Sequence, residues 1–267
     1  MTDTATDGVG EGFSKTAADY DDAVRFNIAG AQRLIASIPA GEYRDVLDVG
    51  CGTGFSAVAM ADRFGPLRLT GVDASEGMLE QFEAKLAGRP DIEATLHAAD
   101  VLDMPVPDGA FDAVICSMAF HWFPFKGRAM AAMARALKPG GVIAILCSGS
   151  GGEGEFQHLL ARLEPGVPGW VGAFDTLQRD IPDMEGYLAH AGLEPLDVWM
   201  ERRIRRADPV AYMERMRVVA GHITAGAGEE EREDLERRVE EALAAAVDAD
   251  GRFEYTFTKL FTIARRP

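Results

Sequence analysis

No apolar run in this chain is long enough to cross a bilayer, and no basic, apolar and small-residue succession marks a secretory leader at its start. Membrane insertion and export are therefore not expected. Basic residues are in deficit: 27 Lys and Arg stand against 43 Asp and Glu, a formal charge of −16 at pH 7. A field of that sign repels phosphate backbones, so nucleic acid is not an expected partner. The cluster Arg202, Arg203, Arg205 and Arg206 reads as a solvated strand face rather than a binding patch. Cysteine is scarce, with Cys51, Cys116 and Cys147 alone and no C-x-x-C. An odd, unpaired set of this kind excludes a disulfide framework and reads as buried reduced thiols in a reducing, cytoplasmic compartment. No His or acid cluster accompanies them, so no metal site is expected.

What is present is ordinary for a globular protein: 47% hydrophobic and 26% charged residues. The 267 residues suffice for one sizeable core with a lid and are few for two full domains. The organising stretch is Val46-Leu47-Asp48-Val49-Gly50-Cys51-Gly52-Thr53-Gly54-Phe55. Its apolar start reads as a buried parallel strand. Three glycines at alternate positions follow, then a helical pattern through Val58, Ala61 and Phe64. Strand, glycine turn and helix open a nucleotide-binding α/β unit, where a ligand can lie against bare main chain. The third glycine comes one residue too early for the dinucleotide fingerprint, and no G-K-[ST] marks a P-loop. A second strand, Leu69–Val72, ends in Asp73, nineteen residues past Gly54, where ribose-binding acids sit in such units. A third strand, Ile92–Ala98, leads to Asp100.

Taken together, D-V-G-C-G-T-G-F (48–55), G-V-D-A-S (71–75), A-A-D-V (98–101), F-D-A-V-I-C-S (111–117) and L-K-P-G-G (137–141) resemble the class I S-adenosylmethionine-dependent methyltransferases. Within them the likeness is to the small-molecule branch of ubiquinone, menaquinone, trans-aconitate and malonyl-carrier methyltransferases. It is dense over about residues 43–147 and thinner on either side. The resemblance implies a doubly wound α/β fold with a mostly parallel seven-stranded sheet and a helical lid. It also implies S-adenosyl-L-methionine as cofactor. Gly50, Cys51, Gly52 and Gly54 would cradle it, Asp73 would take the ribose hydroxyls, and Ala74 and Met78 would lie alongside. Asp100 and Val101 would meet the adenine, and Ser117 would close the far side. Asp73 as a helix cap is the competing reading, although Ser75 serves that purpose equally well. Tyr20, in Ala17-Ala18-Asp19-Tyr20-Asp21, either approaches the methionine carboxylate, as the family's A-x-x-Y-D tyrosine does, or anchors its helix.

The outlet of the fourth strand, Phe111–Ser117, is Met118-Ala119-Phe120-His121-Trp122. It lacks the proline pair common in enzymes that methylate base or amide nitrogens. In the resembling fold it would stand beside the methyl group, with Phe120, His121 and Trp122 near the substrate. His121 is either a general base or a pocket-shaping residue, and the second reading is preferred; it is the one catalytic candidate. Trp170 and Phe174 lie in an irregular stretch where apolar side chains need a surface to cover. Met213 belongs to a helical stripe that is either an adaptable pocket wall or plain core.

Four segments are expected: 1–41, with a mobile start to Gly12 and one helix from Ser14 to about Ile38 over the cofactor; 42–148, the cofactor-binding core; 149–252, further core elements with the inserted lid; and 253–267, the last strand. The Lys138–Gly141 turn should feed a strand at Val142–Cys147. The expected function is methyl transfer to a small organic molecule, at a carboxylate or hydroxyl oxygen, with nitrogen and carbon acceptors left open. A nicotinamide-dependent dehydrogenase and a non-catalytic S-adenosylmethionine-binding protein are the rivals. Monomer and homodimer are both open.

Overall fold

The computed structural model describes residues 7–23, 25–163, 179–220 and 229–267. Five strands run parallel: β1 (Asp45–Val49), β2 (Leu67–Asp73), β3 (Ile92–Ala98), β4 (Phe111–Ser117) and β5 (Leu137–Ser148). β7 (Phe253–Arg265) enters between β5 and β6 (Glu194–Ala207), antiparallel to both. The sheet order is β3-β2-β1-β4-β5-β7-β6. The direction of winding reverses beside β1, between β2 and β4, and a crevice at the carboxyl ends of the strands follows from that reversal.

Helices cover both faces of the sheet, which is why Val46, Leu47, Val49 and the run Ile143–Cys147 are apolar without alternation. On one face, α5 (Lys126–Ala136) and α7 (Ile181–His190) bring Met130, Met133, Met184 and Leu188 onto Leu47, Val114, Ile143 and Ile145. On the other, α2 (Arg25–Ser37), α3 (Phe55–Phe64) and α4 (Glu76–Leu86) bring Leu34, Ile35, Met60 and Phe82 onto Val46, Ile115, Ala144 and Phe261. A third core lies apart. The β5 ladder ends where Ser148 meets Lys259, so residues 253–258 of β7 pair with β6 alone and rise past the carboxyl edge. Onto this ribbon pack α6 (Gly154–Arg162), α8 (Pro209–Ala220) and α9 (Glu229–Ala245), through Phe156, Tyr212, Met216, Val239, Phe253 and Tyr255. Glu153 ties the loop after β5 to α8, accepting hydrogen bonds from the Tyr212 hydroxyl and, at 2.8 Å, from Arg215 Nη2.

The N-terminal region departs from expectation. Where a mobile start to Gly12 was expected, helix already runs from Asp7: α1 (Asp7–Ala23) precedes α2, and Val24 between them lies outside the described residues. α1 lies against α4 and α8, whereas α2 lies against α3 and β5. Bare backbone lets α1 approach: a Cβ on Gly10 would stand 2.9 Å from the Ala74 carbonyl oxygen, and one on Gly77 would stand 2.9 Å from that of Ser14. The Lys138–Gly141 turn also differs, being a bulge inside β5: Leu137 pairs with Phe111 before the register shifts to Ala113 and Val142. Cys51, Cys116 and Cys147 are buried free thiols.

Two tests follow from the central strand and its turn. Gly54 has φ +87°, and a Cβ there would lie 2.2 Å from ring carbons of Phe82. Gly54→Ala should cost roughly 2–4 kcal/mol through strain and overpacking, seen as a lowered Tm. Asp48 on β1 is 1% exposed, and neither carboxyl oxygen completes a hydrogen bond of normal geometry among the described residues. Burial, then the charge of Asp73, push its pKa up to about 8 against a pull from the Ala57 amide. The folded chain then keeps a proton that the unfolded chain loses above about pH 4. Its contribution to stability therefore falls as pH rises from about 4 to about 8. Asp48→Asn should raise Tm at pH 8 more than at pH 5 in thermal melts; equal losses at both would show that the carboxyl group is needed as such.

Candidate functional site

The site is built on the turn after β1. The Gly50 and Cys51 amides both donate to the Val72 carbonyl, at 2.7 and 3.1 Å, so the turn stays clamped to β2. Gly50 (φ +66°) passes so close to the β4 outlet that a Cβ would fall 2.2 Å from that of Ala119. Gly52 (φ +51°) is the opposite case: a Cβ there would meet nothing within 4 Å, because the residue forms the floor of a cavity of about 1080 Å³, part of it open to solvent. The Gly52 amide donates to Asp73 Oδ2 at 2.8 Å and the Ser75 amide to Oδ1 at 2.9 Å. Two amides thus aim the Asp73 carboxylate into the cavity and leave lone pairs for a ligand. Burial raises the Asp73 pKa, and those same amides oppose the shift. Ser75, not Asp73, caps α4, accepting from the Met78 amide at 3.2 Å. Asp100 Oδ1 accepts from the Leu102 amide at 2.8 Å, starting the short 3-10 turn Val101–Asp103, and Asp100 also faces the cavity.

All but one of the predicted cofactor residues converge here: Tyr20, Gly50, Cys51, Gly52, Asp73, Ala74, Met78, Asp100, Val101 and Ser117 line the one cavity. Gly54 does not; it shapes the turn against Phe82.

The roof is α1, which contributes Gly10, Phe13 and Tyr20. The Phe13 ring meets Tyr20 edge-on at 5.9 Å and Trp122 at 5.7 Å. Burial, then Asp73 and Asp21, push the Tyr20 phenol well up, so it stays a neutral donor. Two polar anchors hold the roof. The Ser14 and Ser75 hydroxyls are 2.8 Å apart. Asp21 accepts from the Thr53 hydroxyl at 2.6 Å and pairs with Lys85 at 2.5 Å, while Lys85 donates to the Thr53 carbonyl at 2.9 Å. Sequence reasoning missed Phe13, Asp21 and Thr53 as parts of the site, although Asp21 stood next to Tyr20 in a quoted motif.

The outlet of β4 corrects several expectations. Met118 lines the cavity with φ +58°, a conformation that non-glycine residues rarely hold, fixed by its amide on the Leu146 carbonyl at 2.6 Å. No sequence signal marked it. Phe120, predicted at the substrate, is fully buried, edge-on to Phe123 and Tyr187 under the first core. Its size is spent on closing the gap between the outlet and α7. Trp122 does line the cavity. His121 is 4% exposed and lies off the lining, its ring 4.8 Å from that of Trp122 and its Nδ1 3.5 Å from the Ser148 amide, a long contact. Met213 is 2% exposed in the third core, so the core stripe is the reading that stands and the pocket wall is not. Trp170 and Phe174 lie outside the described residues. Among the described residues, the lining holds no His, Lys or Arg.

A glycine floor, a fixed carboxylate beside it and apolar walls from Met78, Val101 and Phe123 fit a nucleoside with an extended tail. Comparison with known proteins agrees. Residues 46–141 match the family described as a methyltransferase domain. The malonyl-[acyl-carrier protein] O-methyltransferase of Geobacter sulfurreducens is 29% identical over 262 residues, 95% of this chain and 96% of that protein. The demethylmenaquinone methyltransferase of Deinococcus radiodurans is 33% identical over 186 residues, 65% of this chain and 77% of that protein. The crystal structure of a Bacillus halodurans protein described as a methyltransferase aligns over 90% of this chain and 98% of its own, with TM-score 0.59 at 21% identity, a likeness of fold. The glycine floor, the acids closing β2 and β3, and this kinship lead to one conclusion: the chain belongs to the class I S-adenosylmethionine-dependent methyltransferases.

Proposed function

We propose that the chain methylates a small organic molecule at oxygen, a carboxylate or a hydroxyl, with the ionised carboxylate preferred. The observation that carries this preference is the lining. Among the described residues it offers no imidazole or amine to take a proton from an acceptor. A carboxylate, with a pKa of about 4, arrives already ionised near neutral pH and needs only alignment and desolvation. The Geobacter relative, an O-methyltransferase by name, supports the same reading.

When bound, S-adenosylmethionine supplies an electrophilic methyl group on a sulfonium. The residues of this chain do the rest. Gly50 and Gly52 would admit the ligand against main chain, Asp73 would accept from the ribose hydroxyls, and Met78, Val101 and Phe123 would flank the purine. Ser117, Met118 and Trp122 border the place where the acceptor arrives. α1 closes above, with Phe13 and Tyr20 excluding water, so that positioning and desolvation lower the barrier.

Calorimetry should show S-adenosylhomocysteine binding and no NAD(P) binding; tight NADH binding without S-adenosylhomocysteine would defeat this reading. Asp73→Ala should weaken S-adenosylhomocysteine by roughly ten- to a hundredfold, the scale of lost charge-assisted hydrogen bonds. Gly52→Ala has room for its methyl group but must hold φ +51°, a strain of roughly 1–2 kcal/mol; it should fold with a lowered Tm and lose cofactor affinity because the methyl projects into the cavity. His121→Asn should lower kcat/KM by less than about tenfold and remove no pH limb near 6.5, since no proton-transfer step depends on it. A loss above a hundredfold with cofactor affinity intact would make His121 the general base and the acceptor a hydroxyl or amine.

A further inference from the structure

On the side away from β3 the sheet ends at β6, and no further strand follows it among the described residues. β6 runs from Glu194 to Ala207, so a long row of backbone N–H and C=O groups lies along its outer edge, a template that another strand can complete. Two large apolar side chains on it, Leu196 and Ile204, are 43% and 69% exposed. Its charges are divided along its length. Glu194, Asp197 and Glu201 come first, then Arg202, Arg203, Arg205 and Arg206. Several are engaged within the chain. Arg33 of α2 pairs with Glu201, to which Trp199 Nε1 and Arg203 Nη2 each donate at 3.3 Å. Arg206 holds Asp248 and Asp250, and Arg265 holds Glu194. Asp197 is exposed and has no hydrogen bond or ion pair among the described residues. The other edge strand, β3, offers one acid, Glu93, and no Lys or Arg.

Copies of a chain with a formal charge of −16 repel one another in general. At β6 that repulsion is lifted, since four arginines stand there against three acids. The order of the charges selects the direction of a partner strand. Two copies of β6 side by side in parallel would set acid on acid and arginine on arginine. Antiparallel, the acidic end of each lies along the basic end of the other. The charges set the register as well. Across a two-fold axis, residues of one sheet face oppose residues of that same face, so the axis must fall on a residue. An axis on Trp199 would oppose Asp197 to Glu201, and one on Glu201 would oppose that acid to its own copy. An axis on Met200 opposes Asp197 to Arg203 and Val198 to the stem of Arg202, with Leu196 beside Ile204. Pro195 and the bulge at Leu196, where β6 shifts its register on β7, end the regular ladder.

We propose that β6 is the interface of a two-fold homodimer, in which two copies pair antiparallel about Met200 and their sheets join into one. Backbone hydrogen bonds supply the affinity, and the Asp197–Arg203 pair, made twice by symmetry, fixes the register. Asp197 lies on the part of β6 that runs with the sheet, and Arg203 on the part that rises with residues 253–258 of β7. Each copy therefore braces the ribbon beneath the other's third core.

Sedimentation of the full chain reads the oligomeric state, and wild type should dimerise. Asp197→Arg and Arg203→Asp are both at exposed positions. Each sets like charges against one another at two places and should weaken the dimer by about tenfold or more. Mixed in equal amounts, the two variants should regain the wild-type association within about threefold, because a copy with two arginines then faces a copy with two aspartates. Misfolding of either variant could not give that recovery. Met200→Cys should form an intermolecular disulfide on oxidation and Ile204→Cys should not, the native thiols being buried. Directly opposed residues have Cα atoms about 4.5–5.5 Å apart, within disulfide reach, whereas the two copies of Ile204 would stand about 27 Å apart along the strands. Should Met200→Cys not fold, the mixed pair decides without it. A wild type that stays monomeric up to about 0.1 mM, a dimer that neither reversal weakens, variants that stay apart when mixed, or cross-linking at Ile204→Cys instead of Met200→Cys would overturn the interface.

Discussion

The turn from Gly50 to Gly54 has to pass three other pieces of chain within contact distance, and the site exists because it can. On one side it hangs from the Val72 carbonyl by two amides. On a second it touches Ala119 through Gly50, and on a third it touches Phe82 through Gly54. Only Gly52, between them, faces open space. Two glycines are therefore demanded by packing and one by the cavity. That division also fixes β1 against the outlet of β4 and against α4, so the walls of the cavity inherit their positions from the floor.

Electrostatics then grades the crevice. Asp48, Asp73 and Asp100 cluster at or beneath one end, with Asp48 pushed up to about 8 and so largely neutral at pH 7. Burial already raises Asp73, and a full negative charge on Asp48 would raise it further. At the other end, cations of β6 and β7 oppose this field.

The parallel half of the fold was legible because its signals are local. Buried strands there are continuous apolar runs, acids terminate β2 and β3, and glycines mark the turn, so ten predicted cofactor residues share the lining of one cavity. What was not legible depends on contacts between distant segments. The docking of α1 rests on the close approach of Gly10 to Ala74 and of Ser14 to Gly77, which no local pattern announces. Phe120 carries the composition of a pocket residue and the position of a core one. Met118 holds its backbone by tertiary constraint, which no propensity encodes. Gly30 and Lys259, more than two hundred residues apart, approach each other only because β7 is inserted beside β5.

The clasp of Asp21 on Thr53 and Lys85, with the Ser14–Ser75 pair, has a kinetic meaning. α1 meets the crevice largely through a few aromatic edges and is fastened at two polar points, one of them on the very turn that would hold the cofactor. Lifting such a cover breaks a handful of hydrogen bonds and leaves all three cores intact, so it belongs to the low-energy openings of the molecule rather than to its unfolding. A ligand enclosed beneath α1 would leave only after that one carboxylate had let go of Thr53 and Lys85.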